Sequence, residues 1–191
     1  MPNAVAAAHE ILAAHVRPGD AVIDATAGNG HDTLYLARLT GPGGQVFAFD
    51  VQPEAIAATR ARLDAGGSGH GVCTLIHAGH ETMALHIPAI LHGRIAAAVF
   101  NLGYLPGGDK NVITSAGTTV PAMEASLSLL RPGGVMVLVI YTGHPGGAAE
   151  EQAIESFVHS LDLQKWTVFR SAPAPTLRPA PRVLSVVAPV A

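Results

Sequence analysis

The chain has 191 residues, 49% of them hydrophobic and 13% charged, with a net charge of −3, which is material for one domain with a sizeable core. The acidic balance, with a pI near 6.3, argues against broad electrostatic adhesion to nucleic acid while leaving room for a local basic patch. One cysteine, Cys73, excludes an internal disulfide and a cysteine-based zinc cluster. No apolar run approaches the roughly 20 residues that cross a bilayer. The start, Met1-Pro2-Asn3-Ala4-Val5, has no basic region ahead of its apolar stretch, and Glu10 interrupts that stretch, so no signal peptide is expected and the cytoplasm is the expected compartment. The ten histidines are scattered rather than set at ligand spacings, so no metal is expected.

In chain order, Asn3 to Val16 has the apolar spacing of a helix, capped by Asn3 and ended by Arg17-Pro18-Gly19-Asp20. Ala21 to Ala25 is a first strand, apolar on both faces as a central parallel strand is. A helix over 32–39 stops at Gly41-Pro42-Gly43-Gly44, and Gln45 to Asp50 is a second strand ending in a carboxylate. Pro53 opens the next helix, which runs to Ala65 and ends in Gly66-Gly67-Ser68-Gly69. Val72 to Ile76 is a third strand, followed by His77-Ala78-Gly79-His80-Glu81 and a weak helix toward Leu91. Ile95 to Phe100 is a strongly apolar fourth strand, followed by a polar loop, Asn101 to Lys110. A long helix over 118–130 ends at Arg131-Pro132-Gly133-Gly134; Val135 to Ile140 is a fifth strand, and Tyr141 to Gly147 leads into a helix ending near Leu161. Trp166 to Arg170 and Arg182 to Val187 are two last strands joined by a proline-rich loop, 171–181.

This alternation predicts right-handed βαβ units and an α/β domain over 1–191. The sheet is seven-stranded and mostly parallel, with helices on both faces and one antiparallel strand near the C-terminal edge. No linker or internal repeat divides it.

The turn after the first strand, Gly28-Asn29-Gly30-His31-Asp32-Thr33, has two glycines that remove Cβ atoms from the path of a ligand, ahead of a helix N-terminus. A dinucleotide fold wants glycine or alanine where Thr33 stands. A carboxylate at Asp32 would repel a pyrophosphate and welcome an ammonium, so an aminoacyl nucleoside fits better than NAD. Asp50, 20 residues beyond Gly30, ends the second strand where a carboxylate accepts both hydroxyls of a ribose; the alternative is a solvated strand end or a cap for the helix after it. Gln52 adds a second polar contact. His80 and Glu81 stand where an adenine edge lies, although capping explains Glu81 equally well.

The loop after the fourth strand places Asn101, Tyr104, Asp109 and Lys110 at the edge where open α/β sheets bind ligands. A reaction run beside such a loop needs mainly a positioned nucleophile and excluded water. The Asn101 carbonyl can orient an amine and Tyr104 offers a flat face for a base. After the fifth strand Tyr141 and His144 repeat the situation: His144 is either a base for the substrate or the cap of the helix after Pro145-Gly146-Gly147.

Three stretches, Asp24 to Thr33, Asn101 to Lys110 and Gly143 to Gly147, resemble the motifs of a bacterial family labelled rRNA methylases, with similarity from about Val5 to Glu150. The resemblance implies a Rossmann-like fold, S-adenosylmethionine as cofactor, and N-methylation of the 5-aminomethyl group of a wobble thiouridine in a tRNA anticodon loop. It implies a donor site at Thr26, Gly28, Asn29, Gly30, Asp32, Thr33, Asp50, Gln52, His80, Glu81, Asn101 and Gly103. Asn101, Tyr104 and His144 would serve the reaction, and Tyr104, Asp109, Lys110, Tyr141, His144 and Arg178 would hold the RNA. The match weakens toward the C-terminal end, where 176–182 and the apolar 183–191 depart from the family pattern, so substrate choice is less determined than cofactor choice. With only Lys110 and Lys165 as lysines, RNA contacts would fall to Arg170, Arg178 and Arg182. A small-molecule methyltransferase, an NAD-dependent oxidoreductase and a non-catalytic nucleoside-binding module are the competing readings, and a homodimer is compatible with all of them.

Overall fold

The computed structural model describes residues 4–67, 72–109, 111–171 and 180–190. The elements follow in chain order: α1 (Ala4–His15), β1 (Ala21–Asp24), α2 (His31–Thr40), β2 (Gln45–Asp50), α3 (Pro53–Ala65), β3 (Cys73–His77), α4 (Met83–His86), β4 (Ile95–Leu102), α5 (Ala116–Leu129), β5 (Leu130–Ile140), α6 (Gly147–Ser160), β6 (Thr167–Arg170) and β7 (Arg182–Val187). The strands form one sheet in the order β3-β2-β1-β4-β5-β7-β6. All neighbours are parallel up to β5, and β7 runs antiparallel to both β5 and β6. The reversed strand expected near the edge is therefore β7, one place in from it.

Strand residues alternate between two cores because successive side chains leave opposite faces of a sheet. Phe47, Phe49, Ala98, Phe100, Met136 and Leu138 pack with Met83, Met123 and Ile154 on one face. Val46, Ala97, Val99, Val135 and Val137 pack with Leu12, Leu36 and Leu63 on the other. Both faces are thus covered by helices, which is why β4 and β5 are apolar on both sides. Among the described residues no helix is long and apolar enough to cross a membrane.

Several boundaries shift by a residue or two, and three departures from the sequence reading bear on the site and the sheet. β4 runs to Leu102, so Asn101 and Leu102 pair with Val139 and Ile140 instead of opening the loop. The expected weak helix is two 3₁₀ turns, His80–Thr82 and Ala89–Leu91, around the single turn of α4, because Pro88 forces Ile87 out of the helical region. Arg131 to Gly134 does not close α5 as a free turn. Leu130 already pairs with Ile95 and Val135 pairs with Ala97, so the four residues between bulge from the ladder. Arg131 there binds the Asp20 carboxylate through both guanidinium nitrogens, at 2.6 and 2.9 Å. The expected Asn3 cap and most of the 171–181 loop lie outside the described residues.

The strand order reverses direction between β1 and β4, since β2 and β3 lie to one side and β5 to the other. Ligands of open α/β sheets bind at the carboxyl ends of strands on either side of such a point. Asp24 and Asn101 stand there.

Candidate active site

A cavity of about 1060 Å³ opens at this edge, between the turns that follow β1, β2, β3, β4 and β5. Beneath the first of these turns lies Asp24, fully buried, which accepts a 2.6 Å hydrogen bond from the Thr33 hydroxyl and one of 3.1 Å from the Thr26 N–H. Burial, and then the neighbouring Asp32 carboxylate, push the Asp24 carboxyl up to about 7. The turn over it bends through Gly28 at φ +53° and Gly30 at φ +78°, both left-handed and so strained for residues with a Cβ. Their purposes differ. A Cβ on Gly30 would lie 2.8 Å from the Thr59 backbone, whereas one on Gly28 would meet nothing closer than 3.6 Å. Gly30 admits α3 against the turn, and the Thr59 hydroxyl and the Arg62 guanidinium then donate to the carbonyls of Gly28 and Asn29.

The turn residues expected to face a ligand therefore divide into two groups. Thr26, Gly28, Asn29 and Asp32 line the cavity; Gly30 and Thr33 do not, because α3 and Asp24 occupy their free sides.

Asp50 and Gln52 also line the cavity. One Asp50 oxygen accepts the Gly28 N–H and the other the Gln52 N–H, each at 2.9 Å. A carboxylate oxygen has two lone pairs, so each retains one for an incoming hydroxyl. His80 is buried, and its Nδ1 sits 3.1 Å from the Ala25 carbonyl. Burial lowers the pKa of this imidazole and keeps it neutral. A carbonyl only accepts, so Nδ1 carries the hydrogen and Nε2 is a bare lone pair, buried and without a partner among the described residues. Glu81 lies beside it on the cavity wall.

The far side is built on Asn101. Its backbone N–H donates to the Thr26 hydroxyl at 2.7 Å, and its side-chain Nδ2 donates to the Asp32 carboxylate. Its Oδ1 is buried and unpartnered among the described residues. Asp32 is nearly buried, and His9 of α1 takes its other oxygen at 2.7 Å. Asp32 thus carries one protein partner on each oxygen and, like Asp50, still lines the cavity. His144 stands beside Gly103, with Nδ1 on the Pro145 carbonyl at 3.1 Å and Nε2 buried and unpartnered. Tyr104 meets its ring edge-on at 6.4 Å. Tyr141 joins them on the cavity wall, its hydroxyl pKa raised by burial and by Asp32.

Two contacts hold the loop after β4 over the cavity. Asn29 Nδ2 donates to the Pro106 carbonyl at 3.2 Å. The buried Glu150 of α6 accepts from Thr114 at 3.0 Å and from Thr119 at 2.6 Å.

Asp109 is not brought into the site. It folds back on the backbone and side-chain amides of Asn111, both at 2.9 Å, and faces a smaller neighbouring cavity. Lys110 and Arg178 lie outside the described residues. Arg170 and Arg182 pair with Glu155 and Glu151 of α6, at 2.8 and 3.1 Å, with both guanidinium groups still exposed. His9, Tyr35 and Arg38 line the cavity without having been singled out; the only signal was a histidine on the apolar first helix, which reads equally well as an ordinary helical residue.

Comparison with known proteins adds the following. A family model described as "Putative rRNA methylase" matches residues 46–187. The chain is 41% identical over 171 residues to a chloroplastic tRNA (mnm(5)s(2)U34)-methyltransferase of Arabidopsis thaliana, covering 86% of this chain and 62% of that protein. It thus spans about three-fifths of the length of that relative. An rRNA methylase structure from Clostridium thermocellum superposes with a TM-score of 0.93 at 35% identity, covering 98% of both chains. A Streptococcus mutans methyltransferase structure, a complex with SAH, superposes at 0.87 and 33% identity over 98% of this chain and 99% of that one.

Proposed function

This chain belongs to the rRNA methylase family, and from that premise we propose that it is an S-adenosylmethionine-dependent RNA methyltransferase that N-methylates the 5-aminomethyl group of a wobble uridine in tRNA. The donor belongs in the part of the cavity between the Gly28 turn and the loop after β3. The residues present fit it. Asp50 keeps a lone pair on each oxygen for the ribose hydroxyls, and the buried Nε2 of His80 waits for a hydrogen-bond donor. A relative that is 33% identical over nearly its whole length was solved with the demethylated product of this cofactor.

One observation carries the acceptor: Asn101 lines the cavity, and its buried Oδ1 has no partner among the described residues. An orphaned carbonyl at that depth costs about 1–3 kcal/mol, which a donor N–H recovers. An amine supplies one. When bound, S-adenosylmethionine supplies a methyl group activated by a sulfonium. Asn101 Oδ1 accepts one N–H and so points the nitrogen lone pair, and the Tyr104 and Tyr141 rings bound the space for the base. His144, with Nδ1 committed to the Pro145 carbonyl, offers Nε2 to take the proton that the amine sheds as it becomes a secondary amine. The plant relative's name specifies a modified wobble uridine of tRNA, which supports this acceptor over a small molecule.

The test is methyl transfer from labelled S-adenosylmethionine into tRNA that carries the unmethylated 5-aminomethyl wobble base, read by nucleoside analysis. Label in 5-methylaminomethyl uridine is the expected result. Label in ribosomal RNA alone, or in no nucleoside, would refute the acceptor.

A further inference from the structure

The Asn101 amide can do its work only one way round. Its two ends differ by oxygen and NH₂, and nothing in its own backbone chooses between them. The choice is made at Asp32. A carboxylate only accepts, so the amide end facing Asp32 must be Nδ2, as observed, and Oδ1 is left at the other end, buried and unpartnered among the described residues. Asp32 is itself aimed by His9, whose Nε2 lies 2.7 Å from the other carboxylate oxygen. His9 is held in turn by Tyr35. The two rings stack at 3.7 Å and 4°, and the Tyr35 hydroxyl donates to the His9 carbonyl at 2.9 Å. The chain of contacts thus runs from α1, through the second residue of α2, to the end of β4, and each link has one allowed polarity.

We propose that His9 is a positioning residue of the transfer reaction, fixing the Asn101 amide through Asp32 with its oxygen toward the acceptor amine. This rests on the reading of Asn101 given above. His9 touches neither donor nor acceptor in this role. Without it, Asp32 is a nearly buried carboxylate with one oxygen unpaired, free to turn. Asn101 follows, and the angle of attack is lost while the binding surfaces stay. Misplacement of about 1 Å at a reacting centre costs on the order of 100-fold in rate, so the effect belongs in kcat.

The experiment is steady-state methyl transfer to aminomethylated tRNA by the wild type, His9→Ala, His9→Gln, Asn101→Ala and the His9→Ala/Asn101→Ala double variant, with SAH affinity and thermal melts measured alongside. His9→Ala is expected to lower kcat on the order of 100-fold while KM for the donor and SAH affinity stay within about twofold. His9→Gln, which keeps an N–H able to reach Asp32, is expected to recover most of the rate. In the Asn101→Ala background, His9→Ala should cost nothing further, because the group it positions is gone. A merely structural role predicts additive losses and no rescue by glutamine, and either result overturns the proposal. So does a kcat for His9→Ala within about twofold of wild type. If His9→Ala does not fold, the comparison of His9→Gln with wild type decides: an unchanged fold with wild-type kcat supports the proposal, and the same fold with a kcat loss on the order of 100-fold refutes it. A wild type that binds SAH but methylates no tRNA would instead overturn the functional reading, and this inference with it.

Discussion

Replacing Gly30 by alanine separates a glycine that serves a ligand from one that serves a helix. The new Cβ would stand 2.8 Å from Thr59 Cα, 3.0 Å from its hydroxyl oxygen and 3.2 Å from its Cβ, at a backbone φ of +78°. The left-handed conformation costs a residue with a Cβ about 1–2 kcal/mol, and overpacking against backbone adds about 1–3 kcal/mol, so a loss of about 2–5 kcal/mol is expected. Gly28→Ala is the internal control. Its φ is +53°, but the nearest atoms are at 3.6 and 3.7 Å, ordinary contact, so only the conformational cost of about 1–2 kcal/mol applies. Urea denaturation of the two variants, with SAH affinity measured on the folded fraction, gives the comparison. Equal losses for the two would refute the packing argument. A Gly30→Ala protein of wild-type stability that had lost SAH binding would restore the role first expected for this glycine.

Four further outcomes follow from the geometry. Asp50→Ala should weaken SAH binding on the order of 100-fold, the equivalent of about 3 kcal/mol from two hydrogen bonds to a charged group, with the circular dichroism spectrum unchanged; calorimetry reads it. Asp24 titrates near 7 when folded and near its ordinary value when unfolded. The folded state therefore binds the extra proton, and this group's contribution is full below about pH 4 and lost as pH rises through about 7; Asp24→Asn should gain stability relative to wild type across that interval and hold a constant difference above it, in urea melts taken at each pH. Glu150→Ala leaves the Thr114 and Thr119 hydroxyls without their acceptor and should cost about 2–3 kcal/mol, seen as a lower Tm and a higher KM for tRNA. Activity should rise with pH through the pKa of the acceptor amine, since only the neutral amine attacks; a flat profile there would count against amine attack.

The fold was legible because its signals are local. Pro53 at the first turn of α3, the glycines after it, and the apolar runs of β2 and β7 mark boundaries that the structure keeps. The alternation of strand and helix fixed the parallel sheet. What was illegible depends on contacts across the chain. That β4 continues through Asn101 follows from pairing with Val139 on another strand, not from the polar residues after Phe100. His9 and Asp32 lie 23 residues apart and meet only because α1 crosses the sheet face beside α2. Gly30 reads as ligand-facing until Thr59 is placed against it, and Arg170 and Arg182 read as free cations until α6 presents Glu155 and Glu151. The acidic end of β2, by contrast, needed no distant contact to find: Asp50 stands 20 residues beyond Gly30 in the sequence and lines the cavity in the structure.

β7 comes after every other strand in the chain, yet it lies inside the sheet, hydrogen-bonded to β5 on one side and β6 on the other. During synthesis β5 is therefore complete some 40 residues before its neighbour exists, and at translation rates of about 5–20 residues per second that interval is several seconds. Throughout it, the apolar run Val135–Ile140 presents an unpaired edge of the kind that recruits other strands. A nascent chain stalled before Arg182 is thus a sticky half-sheet, and its safety in the cell depends on whatever shields that edge until the last strand slides in.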